Sequence, residues 1–351
     1  MTASSSATRR TTINDVARAA AVSRQTVSNA VNAPQRVAPG TLARVEAEIE
    51  RLGFRPNRAA RSLKQERAGA WGLELNSAGF GRLGAILDSF LIELTAGAAA
   101  RGSHVVPFTA PDPNAPVPSY QQLIASQVAD GFVLTDTRRD DPRPAWLDAH
   151  HVRYAAFGRV WDDPAITAWV DVDGASGVES AVRHLADAGY ERIGYLGWPE
   201  GSPVGDDRRS GWLRATTDLG LSRPELHATA SQVLDAASQA AAVLIDAVGR
   251  GGAIVCASDA LALGAWRVLI ERGLTPGVDL GLVGFDDTDI AQALDLSSLR
   301  QPLDDVADRV LDVLVTRTDS RDPAGGLLLP PELVVRSSSN PAGDRTQPKE
   351  K

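Results

Sequence analysis

Cysteine is almost absent from the 351 residues: Cys256 is the only one. A disulfide framework and a cysteine-built metal cage are therefore excluded, and the usage fits a reducing cytoplasm. The first ten residues, MTASSSATRR, contain no apolar core and do not read as a secretory signal. No apolar run approaches the length needed to cross a bilayer, so no membrane partner is expected. Assembled catalytic signatures are missing too. There is no G-x-S-x-G, no phosphate-binding lysine loop and no H-E-x-x-H, and His150-His151 alone makes no metal site. The expectation is a cytoplasmic protein without cofactor or metal.

The net charge of −8 argues against nucleic acid until it is divided along the chain. Residues 1–66 carry 11 Lys and Arg against 5 Asp and Glu, whereas the remainder carries 25 against 39. The basic end suits phosphate and the acidic end does not. Polar composition marks 1–10 and 338–351 as disordered tails.

Within the basic end, Thr12 stands three residues before Asp15, the spacing of a capping box. Ile13, Val16, Ala17 and Ala20 then recur at helical spacing, which predicts a helix over about 13–20 with one narrow apolar face. Ser23 suits the N-cap of a second helix whose Val27 and Val31 point back at the first. Its opposite face carries Arg24, Gln25, Ser28 and Asn29, all hydrogen-bonding side chains unsuited to a core. Leu42, Val45, Ile49 and Leu52 form the stripe of a third helix that stops at Gly53. Two short helices with a brief break, the second polar and basic outside, make a helix-turn-helix. After Pro56, Asn57 can cap a short helix to Lys64 that has no apolar stripe beyond Leu63 and the alanines, and should not hold alone.

These residues resemble the lactose-repressor family of bacterial transcription regulators. Its pattern Thr, Ile/Leu, x, Asp-Val-Ala, then Val-Ser-x-x-Thr-Val-Ser, is met by Thr12, Ile13, Asp15, Val16, Ala17, Val22, Ser23, Thr26, Val27 and Ser28. Its hinge pattern is met at Pro56, Asn57, Ala60, Arg61 and Leu63. One departure is Ala21, where the family usually has glycine; left-handed geometry at an alanine costs on the order of 1 kcal/mol. The resemblance implies DNA contacts from Thr12, Ser23, Arg24, Gln25, Thr26, Ser28 and Asn29, and from Asn57, Ala60, Arg61 and Leu63 in the hinge.

Beyond residue 69 apolar runs alternate with helical stretches. Strands are expected at 71–75, 104–108, 131–134, 153–157, 169–172, 193–197, 253–256 and 280–285, with helices at 86–101, 174–188, 209–219, 231–248 and 259–272. Such alternation means α/β architecture with parallel sheets covered by helices. The resemblance implies two doubly wound lobes like periplasmic sugar-binding proteins. It divides the chain into a helix-turn-helix domain at 11–56, a hinge at 57–66, an N-lobe of 69–171 with 301–326, and a C-lobe of 172–300 with 327–337.

Ligands of open α/β sheets sit beyond the carboxyl ends of strands. Asp136, Arg159, Trp161, Trp198, Asp259 and Asp286 follow such ends, and Arg208 enters a helix. Carboxylates and guanidinium groups among indole faces suit a sugar, whose hydroxyls need donors and acceptors and whose C–H faces pack on aromatics. The resemblance places effector contacts at Arg208, through Arg208-x-x-Gly211-Trp212, and at Asp286, Asp259 and Arg159, with Asp88 and Phe90 as weaker candidates. Asp259 equally suits a helix cap, and Asp287 reads as a cap. Trp212 and Trp266 read as core, while Trp161 and Trp198 fit either role.

Gly79-Phe-Gly81-Arg-Leu-Gly84 matches a dinucleotide fingerprint. The acidic residue that should close the next strand is missing, so an NAD-dependent enzyme fused to a DNA-binding module is the weaker alternative. The expected protein is a transcriptional regulator, in the repressor sense, of carbohydrate-use genes. It would bind near-palindromic double-stranded operator DNA as a homodimer and answer to a sugar effector. The tail has no leucine heptads that would build a tetramer.

Overall fold

The structure, a computed structural model, describes residues 11–54, 68–75, 86–316, 320–321 and 326–340. The hinge candidates Asn57, Ala60, Arg61 and Leu63 and the Gly79–Gly84 motif lie outside the described residues. The described chain falls into two compact units, divided between Arg67 and Ala68.

In the first unit α1 (Ile13–Ala19), α2 (Arg24–Asn32) and α3 (Pro39–Arg51) surround Val16, Val27 and Val45, each fully buried. Ile13, Leu42, Ile49 and Leu52 pack around this centre. On α2, Ala30 takes the buried place beside Val27, and Val31 is half-buried. The capping box expected from the sequence forms, with the Thr12 side chain and the Asp15 backbone, and the Asp15 side chain and the Thr12 backbone, both paired. Thr12 N–H donates to the Asp15 carboxylate at 2.9 Å, and the Thr12 hydroxyl donates to the same oxygen at 2.7 Å. Ser23 caps α2 by accepting from Thr26 N–H at 3.0 Å.

Ala21 sits in the turn between α1 and α2 with φ of 53°. The left-handed well brings Cβ against the following carbonyl, so the turn carries strain of about 1–2 kcal/mol that glycine would not. Ala21→Gly should therefore slow amide hydrogen exchange in α1 and α2 of the full-length protein. Glycine also loosens the unfolded chain, which offsets about 0.4–1 kcal/mol of the gain. Unchanged or faster exchange would show that the turn bears no net strain.

The second unit holds two six-stranded sheets. The N-lobe sheet has the order β11-β5-β4-β3-β1-β2, with β1 (Ala70–Glu74), β2 (His104–Phe108), β3 (Gly131–Leu134), β4 (Arg153–Phe157), β5 (Trp169–Val172) and β11 (Leu327–Leu329), all parallel. The helices α4 (Ile86–Ala100), α5 (Val117–Ala125), α6 (Pro142–Ala149) and α12 (Leu303–Thr316) belong to this lobe, α4 packing on α12. The C-lobe sheet has the order β12-β10-β9-β8-β6-β7, with β6 (Ile193–Gly197), β7 (His227–Thr229), β8 (Ala253–Cys256), β9 (Gly281–Asp286), β10 (Ser297–Arg300) and β12 (Glu332–Val334). Only the β10–β12 pairing in it is antiparallel. Here α7 (Gly174–Asp187) packs on α8 (Pro203–Asp218), and α9 (Leu234–Val248) on α10 (Asp259–Glu271); α11 (Asp289–Ala293) follows β9.

Three sequence expectations need correction. Leu327–Leu329 pairs with β5, so the third passage between lobes falls at Pro330 and Pro331, after the expected boundary at 326. Two adjacent prolines cannot donate to a ladder, which makes them a natural break between edge strands of different sheets. Residues 338–340 do not belong with a disordered tail. Ser338 and Ser339 are fully buried: Ser338 donates to Leu282 O at 2.6 Å, and the Ser339 hydroxyl lies 2.8 Å from His184 Nε2. The helix carrying Arg208 starts at Pro203 rather than 209, because Ser202 accepts from Gly205 N–H and Pro203 fills the first helical position.

Candidate functional site

A cavity of about 440 Å³ opens between the lobes, where the strands of both sheets end. Asp136, Thr137, Arg138 and Arg159 stand on its N-lobe wall, after β3 and β4. Trp198, Asp207, Arg208 and Gln232 stand on its C-lobe wall, and Asp171 and Gln301 come from the segments that pass between lobes.

Arg208 lies on the buried face of α8, with 5% of its surface exposed. Its guanidinium carbon sits 3.5 Å from the centre of the Phe285 ring and 5.2 Å from that of Trp198. Nη1 donates to the Ala257 carbonyl at 2.5 Å and stands 3.9 Å from Asp286 Oδ1. Gln301 Nε2 donates to that same carboxylate oxygen at 2.6 Å. Burial pushes the Asp286 carboxyl upward from its ordinary range, and the Arg208 charge opposes the shift. Glycine at 211 is needed for this placement: a Cβ there would run into the Ala175 carbonyl, so α8 could not lie this close to α7.

On the facing wall Arg159 Nε donates to Asp171 at 3.0 Å, and its Nη2 pairs with Asp207 at 2.8 Å. The Trp161 ring lies under the same guanidinium, 4.4 Å away. Burial pushes the Asp171 carboxyl up, opposed by the charge of Arg159.

Three buried polar atoms on the cavity's lining residues have no protein hydrogen-bond partner among the described residues: Thr137 Oγ1, Trp198 Nε1 and Arg208 Nε. A buried donor left unsatisfied costs about 1–3 kcal/mol. Three such atoms among the residues of one lining favour a ligand rich in hydroxyl oxygens, with an apolar face for the Trp198 ring.

The structure gathers Asp136, Arg159, Trp198 and Arg208 on the cavity wall, with Asp286 behind Arg208. It does not gather the others. Phe90 is fully buried and packs on Phe157 with ring centres 4.6 Å apart, so it is core. Asp88 is exposed on α4 and is not on the wall, where Ile86 and Leu87 take its expected place. Trp161 lies beneath Arg159, outside the cavity lining. Asp259 is 1% exposed and accepts from Thr288 N–H, the Thr288 hydroxyl and the Ser298 hydroxyl at 2.6–2.9 Å. It pins the segment after β9 and thereby steadies Asp286, while Ser258 caps α10. Burial pushes its carboxyl up as well. Asp287 caps nothing: its carboxylate pairs with Arg300 and Arg336 at 2.7 and 2.6 Å.

Sequence reasoning missed Thr137, Asp171, Asp207 and Gln301. Thr137 and Asp207 adjoin Asp136 and Arg208, which it did name, because one position was taken where a wall needs several; Asp171 and Gln301 lie at the expected boundaries between the lobes. It also missed Arg143, which is 5% exposed and bonds Glu74, Asp141 and the carbonyls of Thr135 and Asp136. This buried cation holds the turn in which Asp136 adopts φ of 53°.

On α2, Arg24 and Gln25 are exposed and Ser28 and Asn29 half-buried, all on the face away from the small core. Gln25 Nε2 donates to Asn29 Oδ1 at 2.9 Å, which aligns two amides that can each read a base edge. Arg44, although exposed, donates through Nε to Ala20 O at 3.0 Å and so satisfies a carbonyl at the end of α1.

Residues 12–57 match the description "Bacterial regulatory proteins, lacI family", and residues 182–339 match "Periplasmic binding protein-like domain". The HTH-type transcriptional regulator CelR of Thermobifida fusca is 30% identical over 342 residues, covering 94% of this chain and 98% of that one. A structure of the transcriptional regulator CelR in complex with cellobiose is 27% identical, with a TM-score of 0.68 over 94% of this chain and 100% of that chain. The Lac repressor dimer bound to operator and the anti-inducer ONPF is 25% identical, with a TM-score of 0.79 over 94% and 99%. Among the described residues no helix is long and apolar enough to cross a membrane.

Proposed function

The chain belongs to the lacI family of DNA-binding transcriptional regulators, and we propose that it is a repressor of carbohydrate-use genes whose operator affinity is controlled by a sugar held between its lobes. The observation that carries the sugar is the cluster of unpartnered donors at Thr137, Trp198 and Arg208 in one cavity. A volume of about 440 Å³ falls within the range of small-molecule sites and suits a mono- or disaccharide. The relative solved with cellobiose makes a short glucoside the first compound to try. A homodimer would set two copies of α2 on a two-fold axis, matching a near-palindromic operator. The enzyme alternative keeps no support beyond its glycine spacing, since the matched families are regulatory and ligand-binding.

A randomised-site selection with purified protein, repeated with and without cellobiose and other neutral sugars, tests this reading. Recovery of a two-fold symmetric site whose retention changes with one sugar supports it; a site that ignores every sugar in the panel counts against it.

The same assay reads the recognition helix. With Gln25 and Asn29 in the major groove, Asn29→Ala should relax preference at one base pair per half-site and cost about 1–3 kcal/mol there. Selectivity identical to that of the parent would place another face of α2 on the bases.

A further inference from the structure

The guanidinium of Arg159 is held in a manner unlike that of Arg208. Arg208 reaches Asp286 only at 3.9 Å and keeps Nε without a partner, whereas Arg159 is gripped by two carboxylates at 3.0 and 2.8 Å. Those carboxylates come from different lobes. Asp171 lies in β5 of the N-lobe, and Asp207 lies on α8 in the C-lobe, where the same Oδ2 atom also accepts from Ala175 N–H at 3.2 Å. Arg159 and Asp207 are 21% and 16% exposed at their side chains, so the pair stands at the wall of the cavity and is not sealed beneath it.

Charge on the lining is closely balanced. Arg138, Arg159 and Arg208 face Asp136, Asp171 and Asp207, with Asp286 a further carboxylate just behind. A cavity holding three arginines would ordinarily draw a phosphate or a carboxylate, because the guanidinium fork binds oxyanions through two parallel hydrogen bonds. In this cavity the fork of Arg159 is already filled from within the protein.

We propose that Asp207 is a specificity-determining residue of the cleft: by occupying Arg159 from across the lobes it excludes anionic sugars and leaves the cavity to uncharged ones. An incoming carboxylate or phosphate must either displace Asp207, leaving that carboxylate without its cation, or bind beside four aspartates against which only three arginines stand. An uncharged sugar meets neither penalty, and its hydroxyls can use Thr137, Trp198 and Arg208. Like-charge juxtaposition is the repulsive element by which a site rejects a wrong ligand of the right shape. The assignment rests on the reading of this cavity as a sugar site, and extends it to charge class.

The test is calorimetric titration of the full-length protein, parent and Asp207→Asn, with glucose, cellobiose, glucuronate and glucose 6-phosphate. Asparagine keeps an oxygen for Ala175 N–H and removes the charge, so Nη2 of Arg159 becomes available to an oxyanion. Asp207→Asn should bind glucuronate or glucose 6-phosphate at least tenfold more tightly than the parent, with affinity that falls as salt is raised, and adding Arg159→Gln should abolish the gain. If Asp207→Asn does not fold, Asp171→Asn removes the other carboxylate from the same guanidinium and is read in its place. A parent that binds glucuronate or glucose 6-phosphate as tightly as glucose or cellobiose overturns the assignment, as does a folded variant without the gain. A parent that ignores both neutral sugars counts against those sugars as effectors, and the anion titrations still decide the role of Asp207.

Discussion

Arg208→Ala is expected to weaken binding of the sugar effector by at least a hundredfold while sugar-free affinity for the operator stays within a few-fold of the parent. Charge-assisted hydrogen bonds contribute about 1.5–3 kcal/mol each, and Arg208, on the cavity lining, keeps Nε without a protein partner. The loss has a second source. Without the cation, Asp286 keeps only Gln301 among its named partners and becomes a poorer acceptor for a sugar hydroxyl. Burial already pushes the Asp286 carboxyl up against the opposing charge of Arg208, so removing Arg208 raises it further. A raised carboxyl favours the folded state at low pH and loses that contribution as pH climbs through the folded value. The stability gap between parent and variant should therefore widen as pH rises through neutrality, and thermal melts at several pH values measure it. Calorimetry that finds parental sugar affinity in Arg208→Ala removes the residue from the site, whatever the melts show.

The small helical unit was open to sequence reading because its signals are local. Caps at Thr12 and Ser23 and apolar spacing over 3–4 residues act within one or two turns. The long buried strands were equally plain, since parallel strands covered on both faces appear as unbroken apolar runs. The strands that escaped, β7, β10, β11 and β12, are three or four residues long, and all four stand at sheet edges or next to one. β10 is the clearest case. Its Ser297 and Ser298 are fully buried, which no hydrophobic pattern can signal; they are satisfied by Ser338, Arg336 and Asp259, all about forty residues away. Asp259 and Asp286 show the same limit at the cavity. Both follow strands of one sheet, and both are carboxylates at the expected end. Whether such a residue faces the ligand or clamps a neighbouring loop depends on partners that spacing does not reveal.

Leu63→Ser is expected to abolish most bending of the operator and to lower specific affinity by roughly a hundredfold, with sugar binding unchanged. Residues 57–64 are too few and too polar to hold a helix by themselves. Leu63 is the only large apolar residue in that stretch. In the lacI family, whose pattern residues 12–57 match, paired hinge helices enter the minor groove and insert a leucine at the central base step, the position that the sequence resemblance assigns to Leu63. Unstacking a step costs a few kcal/mol, offset by the wider contact that a bent duplex permits; a serine has too little apolar surface to hold the step open. The described chain supports coupling to the sugar. Ala68 and Gly69 both donate their N–H groups to the Asp130 carboxylate at 2.6 Å, immediately before β1. Ala68 and Gly69 are thereby fixed to the N-lobe, so a lobe movement driven by sugar would reach the chain as far as Ala68. The sugar then needs only to bind the two lobe arrangements with different affinity to shift the population of folded hinge helix. Circular-permutation gel shifts measure the bend, and a fluorescence titration measures the sugar. If Leu63→Ser bends the operator as the parent does, Leu63 is a linker residue and the hinge does not couple sugar to DNA in this way.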